Sequence, residues 1–302
     1  WDMLERGYTM HHAISQDKQG NILATVSKTS AKIANGKDVR INDFIIMMDP
    51  EKGEILQEWD LVHMLDSARY GMTDYDLTSD PFAQSASNWA HNNGIVEWGD
   101  DYLATARYQG IFKFNKAGGI EWIISPHGYW RDKYLKLLLN PLYADGTPIT
   151  DPEVIAGTKN CDDFEWPWGC HTAVPLPNGH ILYFNNGYGR NFKLDFTDRK
   201  NIYTCGIEYE VDEVNRTVRQ VWQYGKERGA AYFTPARSGV QYLEQTGNRL
   251  ICPGMSNVLS NGNRGARVTE VDPETQDVVF ELELEDAIYQ RVYRMSLYPE
   301  NQ

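Results

Sequence analysis

Hydrophobic and polar residues alternate along four separate stretches of the chain, as they do in β-strands that bury one face. Each stretch contains two such strands with an acidic or glycine/asparagine turn between them: residues 44–61, 110–125, 206–225 and 266–285. Each also carries a large aromatic side chain near its end: Trp59, Trp122, Trp222 and Phe280. A polar turn and a further strand precede every stretch. The pattern therefore predicts four copies of one strand unit.

The four units recur in tandem, since the leucines of their leading strands (Leu23, Leu103, Leu182 and Leu250) lie 80, 79 and 68 residues apart. A repeated unit of about four strands that cannot bury its own faces is typical of a β-propeller blade. A β-sandwich is the alternative, but nothing in a sandwich requires the turn and the aromatic residue to recur together. We therefore predict an all-β propeller. Residues 287–299 are predicted to add an inner strand that residues 1–8 help to complete, and residues 132–140 to form a short connecting helix.

The composition agrees with short strands joined by tight turns, because the chain contains 9 Trp, 18 Tyr, 25 Gly and 13 Pro. Its net charge of -13 argues against general binding to nucleic acids or anionic membranes, which requires clustered Lys and Arg. No apolar run approaches the roughly 18–20 residues of a membrane-spanning helix. The chain begins at Trp1 instead of Met, so we expect a processed or truncated product that has lost any targeting segment.

Candidate chemistry lies at the entrance to each inner strand, where histidines recur. His11, His91 and His171 are spaced by 80 and 80 residues, whereas counting back from the glycine turn aligns His12 with His171. Inner strands of a propeller line the central channel, so equivalent positions should converge at one mouth of it. Asn93 follows His91 closely, and Arg107 lies on the next strand, from where it can face the same pocket. Imidazoles, an amide and a guanidinium form a set of donors suited to a tetrahedral oxyanion.

Other classes of function fit the same residues. Converging histidines are typical zinc or copper ligands, and a propeller can also be a binding scaffold without catalytic activity. The absence of a carboxylate pair at the strand entrances argues against glycoside hydrolysis. The four cysteines (Cys161, Cys170, Cys205 and Cys252) allow three pairings. A bridge between Cys161 and Cys170 would close a short loop beside His171 and contribute about 2–3 kcal/mol, and four reduced thiols are the alternative.

Four segments together resemble the bacterial arylsulfate sulfotransferases that work without PAPS: NWAHNNGI, ATARYQGIFKFN, GCHTAVPLPNGHILYFNNG and VYRMSLYP. The resemblance extends from about His11 to Tyr298. It implies a six-bladed propeller preceded by a separate β domain. Residues 1–302 would then be one catalytic propeller domain that lacks this β domain and the first blades. It also implies a periplasmic or secreted location, and a possible homodimer formed through the missing domain.

The resemblance also implies roles for individual residues. His171 looks like the nucleophile that is transiently sulfurylated, and the sulfate would be held by His91, Asn93, Arg107 and either His12 or His11. A hydroxyl residue of a later blade is expected among Thr234, Arg237 and Ser238, and Tyr293 falls where the family has an acceptor-site tyrosine. Two positions depart from the family pattern: Tyr108 replaces a histidine and Cys170 replaces a glutamine. A cysteine pair just ahead of the nucleophile does occur in the family.

The implied reaction moves a sulfuryl group from an aryl sulfate to a phenol by ping-pong kinetics, with no metal and no cofactor. A neutral imidazole would attack sulfur while fixed donors hold the peripheral oxygens. Because the nucleophile must be deprotonated, activity should fall as the pH is lowered. A hydrolase with water as the acceptor is a further alternative.

Overall fold

The computed structural model describes residues 1–35, 38–69, 89–194, 197–256, 265–285 and 288–289. Its strands form four sheets, numbered here as blades 1 to 4 in chain order. Blade 1 contains β1 (Thr9–Gln16), β2 (Ile22–Asn35), β3 (Asp38–Met48) and β4 (Ile55–Asp60). Blade 2 contains β5 (Asn92–Trp98), β6 (Asp101–Ala106), β7 (Gly110–Phe114) and β8 (Ile120–Ile124).

Blade 3 contains β10 (His171–Pro175), β11 (Ile181–Asn185), β12 (Cys205–Asp212) and β13 (Thr217–Tyr224). A fifth strand, β9 (Asn140–Leu142), runs parallel to β13. Blade 4 contains β14 (Ser238–Tyr242), β15 (Arg249–Pro253), β16 (Ala266–Val271) and β17 (Val278–Leu284). The α-helices are α1 (Leu61–Met64), α2 (Asp132–Leu135) and α3 (Pro152–Ala156). In the part of the chain that the structure describes, 3-10 turns span Arg190–Phe192, Arg199–Asn201 and Lys226–Ala231.

The predicted all-β propeller is confirmed, with four blades in the described part of the chain. Within each blade the four main strands form an antiparallel meander in chain order. The inner strands contact one another in succession, β1 with β5, β5 with β10 and β10 with β14. The hydrophobic clusters lie between neighbouring blades, so each blade is stabilised by the next.

The recurring aromatic residue and the recurring turn contact each other across the blade boundary. Trp59 Nε1 of blade 1 donates to the Lys116 carbonyl in the outer turn of blade 2 (3.0 Å), and Trp122 Nε1 donates to Glu213 in the outer turn of blade 3 (2.8 Å). Trp222 Nε1 lies 2.5 Å from the side-chain amide of Gln276, in the corresponding turn of blade 4. It donates to the oxygen of this amide in the amide orientation that satisfies both groups. This contact explains why turn and aromatic recur together.

Two sequence predictions about the connecting segments are wrong. Residues 1–8 form turns, not a strand, and Met3 and Tyr8 pack into the hydrophobic cluster of blade 1. The helix predicted over 132–140 is limited to α2, because the chain then enters β9 beside Pro141. Of the strand predicted over 287–299, all but Ile288 and Tyr289 lies outside the described residues. Among the described residues, no helix is long and apolar enough to cross a membrane.

Candidate active site

Each inner strand has a residue in the left-handed backbone region, either in its first half or immediately before it. The residues are His12 (φ 54°), His91 (φ 53°), Thr172 (φ 44°) and Arg237 (φ 58°). In blades 1 to 3 the register between the first two strands also shifts at this point. Residues other than glycine adopt this conformation at a cost of about 1–3 kcal/mol, and it turns the side chain away from its place in the strand. In blades 1 and 2 the residue with this conformation is itself a histidine, so the conformation helps to direct His12 and His91 toward one centre.

His12, His91 and His171 form that centre, which we call the histidine cluster; a ring nitrogen from each lies within 4.8 Å of those of the other two. Nε2 of His12 lies 3.2 Å from Nε2 of His91, and the rings of His12 and His171 are 6.2 Å apart. His11 lies behind the cluster, with its Nδ1 atom 3.0 Å from that of His12. The alignment from the glycine turn therefore located the clustered residue, because the register shift in β1 displaces the regular spacing.

His171 is buried and held in a defined orientation by the chain that follows β11. Its Nδ1 atom lies 2.6 Å from Asn186 Oδ1 and 3.2 Å from the Gly169 carbonyl. Both neighbours are acceptors, so Nδ1 carries the proton and the lone pair of the neutral ring resides on Nε2. A neutral imidazole in this tautomer can act as a nucleophile at Nε2.

Arg107 lies almost fully buried beside the cluster, and its backbone N–H donates to the His91 carbonyl (3.0 Å). Its Nη2 donates to the Pro235 carbonyl (2.8 Å), and its guanidinium lies 4.5 Å from the Tyr188 ring centre. Tyr108, which takes the place of the histidine expected from the family pattern, contacts the His91 ring edge-on. Burial first, and then the charges of His12 and Arg107, hold the pKa of His91 well below 6.5.

Asn93 and the two hydroxyl candidates make hydrogen bonds to residues near the cluster and not to its histidines. Asn93 is fully buried; its Nδ2 donates to the Cys170 carbonyl (2.8 Å), and its Oδ1 accepts from Thr105 (2.7 Å). Ser238 donates to Asn186 Oδ1 (3.2 Å), so it reaches His171 through that amide. The Thr234 hydroxyl donates to the Ala236 carbonyl (2.5 Å). Tyr293 lies outside the described residues.

The predicted disulfide between Cys161 and Cys170 is wrong. Neither Cys161 nor Cys170 forms a disulfide in the structure, and burial raises the pKa of Cys170 to about 12. The loop before His171 is fixed by other means. Asn185 accepts from the Trp168 backbone (2.9 Å) and donates to the Trp166 carbonyl (2.9 Å). Cys170 itself packs in the hydrophobic cluster between blades 2 and 3.

The charge around the cluster selects the kind of ligand that it favours. Ring nitrogens at this spacing could surround an oxyanion or share a metal ion. Arg107 beside the cluster is a cation, and His12 and His171 are cationic when charged, whereas the Asp43 carboxylate lies behind them, next to His11. Such an environment favours an anion over a cation.

Comparison with known proteins agrees with this arrangement. The sequence model of the arylsulfotransferase (ASST) family matches residues 2–294. The chain belongs to the arylsulfotransferase family. It is 29% identical to the arylsulfate sulfotransferase AssT of Escherichia coli O6:H1 (strain CFT073) over 325 residues, and 29% identical to that of Lelliottia amnigena over 326 residues. Each alignment covers 97% of this chain and 54% of the relative, so the chain spans about half the length of these relatives.

Membership of the arylsulfotransferase family confirms the resemblance read from the four segments, and the structure adds residues that those segments did not single out. Asn186 contacts His171 directly, and Asp43 contacts His11. Asn186 belongs to one of the quoted segments, where its place at the end of an inner hairpin was an available signal. Asp43 lies on β3, and nothing near it in the sequence indicates that it reaches the histidines.

Proposed function

We propose that this chain transfers a sulfuryl group from an aryl sulfate to a phenol through a covalent intermediate on His171. The observation that carries the proposal is the orientation of His171 by Asn186. It places the Nε2 lone pair in a cluster whose other members are imidazoles from two other blades. Family membership supports the same reaction class, since both relatives are named arylsulfate sulfotransferases.

In the first half-reaction, Nε2 of His171 attacks the sulfur atom. The new N–S bond forms as the bond between sulfur and the aryl oxygen breaks, and the phenolate leaves opposite the imidazole. His12, His91 and Arg107 oppose the negative charge on the three peripheral oxygens. Because these groups are fixed by the fold before the substrate arrives, little reorganisation is needed in the transition state.

In the second half-reaction, the oxygen of an acceptor phenol attacks the same sulfur atom, and the phenol gives up its proton, which balances the phenolate released in the first half-reaction. The N–S bond breaks, and His171 returns to its neutral form. Asn186 accepts from Nδ1–H throughout, which stabilises the positive charge that the ring acquires while Nε2 is bonded to sulfur. The two half-reactions share one site, so the kinetics should be ping-pong.

Mass spectrometry of enzyme exposed briefly to 4-nitrophenyl sulfate tests the proposal. We expect a sulfuryl adduct on the peptide that contains His171 and no adduct in His171→Asn. His63→Asn is the matched control, because His63 is exposed on α1 and is not a member of the cluster. An adduct on another residue, or turnover without an adduct, would remove the mechanism. Release of 4-nitrophenol that does not respond to added phenol would instead indicate a hydrolase.

Three finer expectations depend on the resemblance alone and stay predictions. They are a ring of six blades, a periplasmic or secreted location, and a homodimer formed through a further domain. The described residues contribute four blades to such a ring.

A further inference from the structure

A continuous line of side chains runs from the histidine cluster to a buried carboxylate. Nε2 of His91 lies 3.2 Å from Nε2 of His12, and Nδ1 of His12 lies 3.0 Å from Nδ1 of His11. Nε2 of His11 is in turn 3.7 Å from Asp43 Oδ1. Three imidazoles and one carboxylate from blades 1 and 2 are thus arranged in sequence, and the sulfuryl site is at one end.

Asp43 is held firmly at the other end. It is buried, its Oδ1 accepts from Ser27 (3.1 Å), and its Oδ2 accepts from the Asn92 backbone (3.1 Å). These contacts tie the carboxylate to β2 and β5 and fix its position relative to His11. Burial is the largest influence on the pair: it raises the pKa of Asp43 and lowers the pKa of His11, and the attraction between the two opposes both shifts.

The arrangement determines the direction of the hydrogen bonds. Each contact between two ring nitrogens needs one N–H donor and one lone pair. A carboxylate beside Nε2 of His11 favours the proton on that atom, so Nδ1 of His11 accepts from His12. His12 can then accept from His91 through Nε2. The two bonds between the imidazoles then point toward His11, and the Asp43 carboxylate, 3.7 Å from Nε2 of His11, attracts a proton added at the cluster end.

We propose that Asp43 and His11 are positioning residues of the sulfuryl site, which set the hydrogen-bond direction of His12 and His91 and lower the cost of placing an exchangeable proton there. The inference rests on the proposed function. In the first half-reaction the departing aryl oxygen takes this proton as the sulfur–oxygen bond breaks. In the second, the acceptor phenol returns its proton to the imidazoles as its oxygen bonds to sulfur. Protons therefore balance over one turnover.

The need for the proton depends on the leaving group, and this separates the proposal from a purely structural role. A 4-nitrophenolate leaves readily without protonation, whereas unsubstituted phenolate is a stronger base and leaves far better as the neutral phenol. A defect in the proton chain should therefore affect phenyl sulfate much more than 4-nitrophenyl sulfate. Loss of folded protein, or misplacement of His171, would affect both donors equally.

The test compares kcat/KM for the two donors in Asp43→Asn, which preserves the shape of the side chain. We expect about a hundredfold loss with phenyl sulfate, the lower end of a general acid contribution, and at most about a threefold loss with 4-nitrophenyl sulfate. His11→Gln should show the same selective loss, and it serves as the second variant if Asp43→Asn folds poorly. Asp17→Asn is the control, because Asp17 is a buried carboxylate of the same blade that caps the turn between β1 and β2.

Equal losses with both donors, or no loss with either, would overturn the proposal. The adduct on His171 separates this failure from that of the proposed function. A wild-type adduct together with an unchanged donor ratio in both variants refutes only the role of Asp43 and His11. If wild-type enzyme forms no adduct with either donor, the proposed function fails and the inference falls with it.

Discussion

Replacing Asn186 with alanine should impair catalysis beyond its cost in stability. The Asn186 side chain makes three buried contacts: it accepts from His171 Nδ1 and Ser238 Oγ, and it donates to the Thr234 carbonyl. At about 1 kcal/mol per hydrogen bond, and more where a buried group is left without a partner, we expect Asn186→Ala to lower the free energy of unfolding by about 2–4 kcal/mol.

The catalytic loss comes from the bond to His171 alone. During attack the ring gains positive charge, and a hydrogen bond to a charged group contributes about 1.5–3 kcal/mol. Loss of that bond in the transition state predicts a fall in kcat/KM of about 10- to 150-fold. The ring could also adopt the other tautomer, which places the proton on the atom that must attack.

Asn185→Ala is the matched control. Asn185 is buried at the end of β11, next to Asn186, and also makes three contacts, with the Trp168 and Gly187 backbone N–H groups and the Trp166 carbonyl. Chemical denaturation should show similar losses of stability for the two variants. Steady-state rates with 4-nitrophenyl sulfate should show a much larger loss for Asn186→Ala. Equal losses of kcat/KM would refute the view that Asn186 acts by orienting His171.

Three further predictions follow from the site. Arg107→Lys should lower kcat/KM by about 10²–10³, because an ammonium cannot both contact Pro235 and stack on Tyr188 as the guanidinium does. An unchanged kcat/KM would contradict the role of Arg107 in holding the sulfuryl group. The free energy of unfolding, measured with urea, should fall as the pH decreases below 6.5, by up to about 1.4 kcal/mol per pH unit for His91. The reason is that His91 takes up a proton in the unfolded chain but resists it in the folded site. An equal fall in His91→Asn would contradict the assignment to His91. Alkylation of unfolded, unreduced protein should modify both Cys161 and Cys170, and recovery of these two residues as a bridged pair would contradict the structure.

The blades could be predicted from the sequence because their main contacts leave a periodic record. An indole in one blade donates to the outer turn of the next, so the turn and the aromatic residue must recur together. The same periodicity located His91 and His171. His11 and His12 could not be separated by spacing alone, since the register shift between Met10 and Ile14 depends on how β1 pairs with β2.

The contacts that orient the histidines could not be predicted, because they join residues far apart in sequence. Asp43 reaches His11 across the strands of blade 1, and the polar residues around it carry no repeat. Two adjacent asparagines end β11, and only the fold distinguishes Asn186, which faces His171, from Asn185, which faces the preceding loop. The disulfide prediction was wrong for a related reason: amide side chains and buried tryptophans already fix this loop.

The most direct test follows labelled sulfur through both half-reactions. Enzyme would be exposed to an aryl sulfate containing radioactive sulfur, separated from the donor, and then mixed with a phenol. We expect label to remain on the protein after separation, to map to His171, and to pass to the phenol when it is added. Label that never attaches to the protein while sulfate ester is still formed, or that attaches but does not move to the phenol, would contradict it.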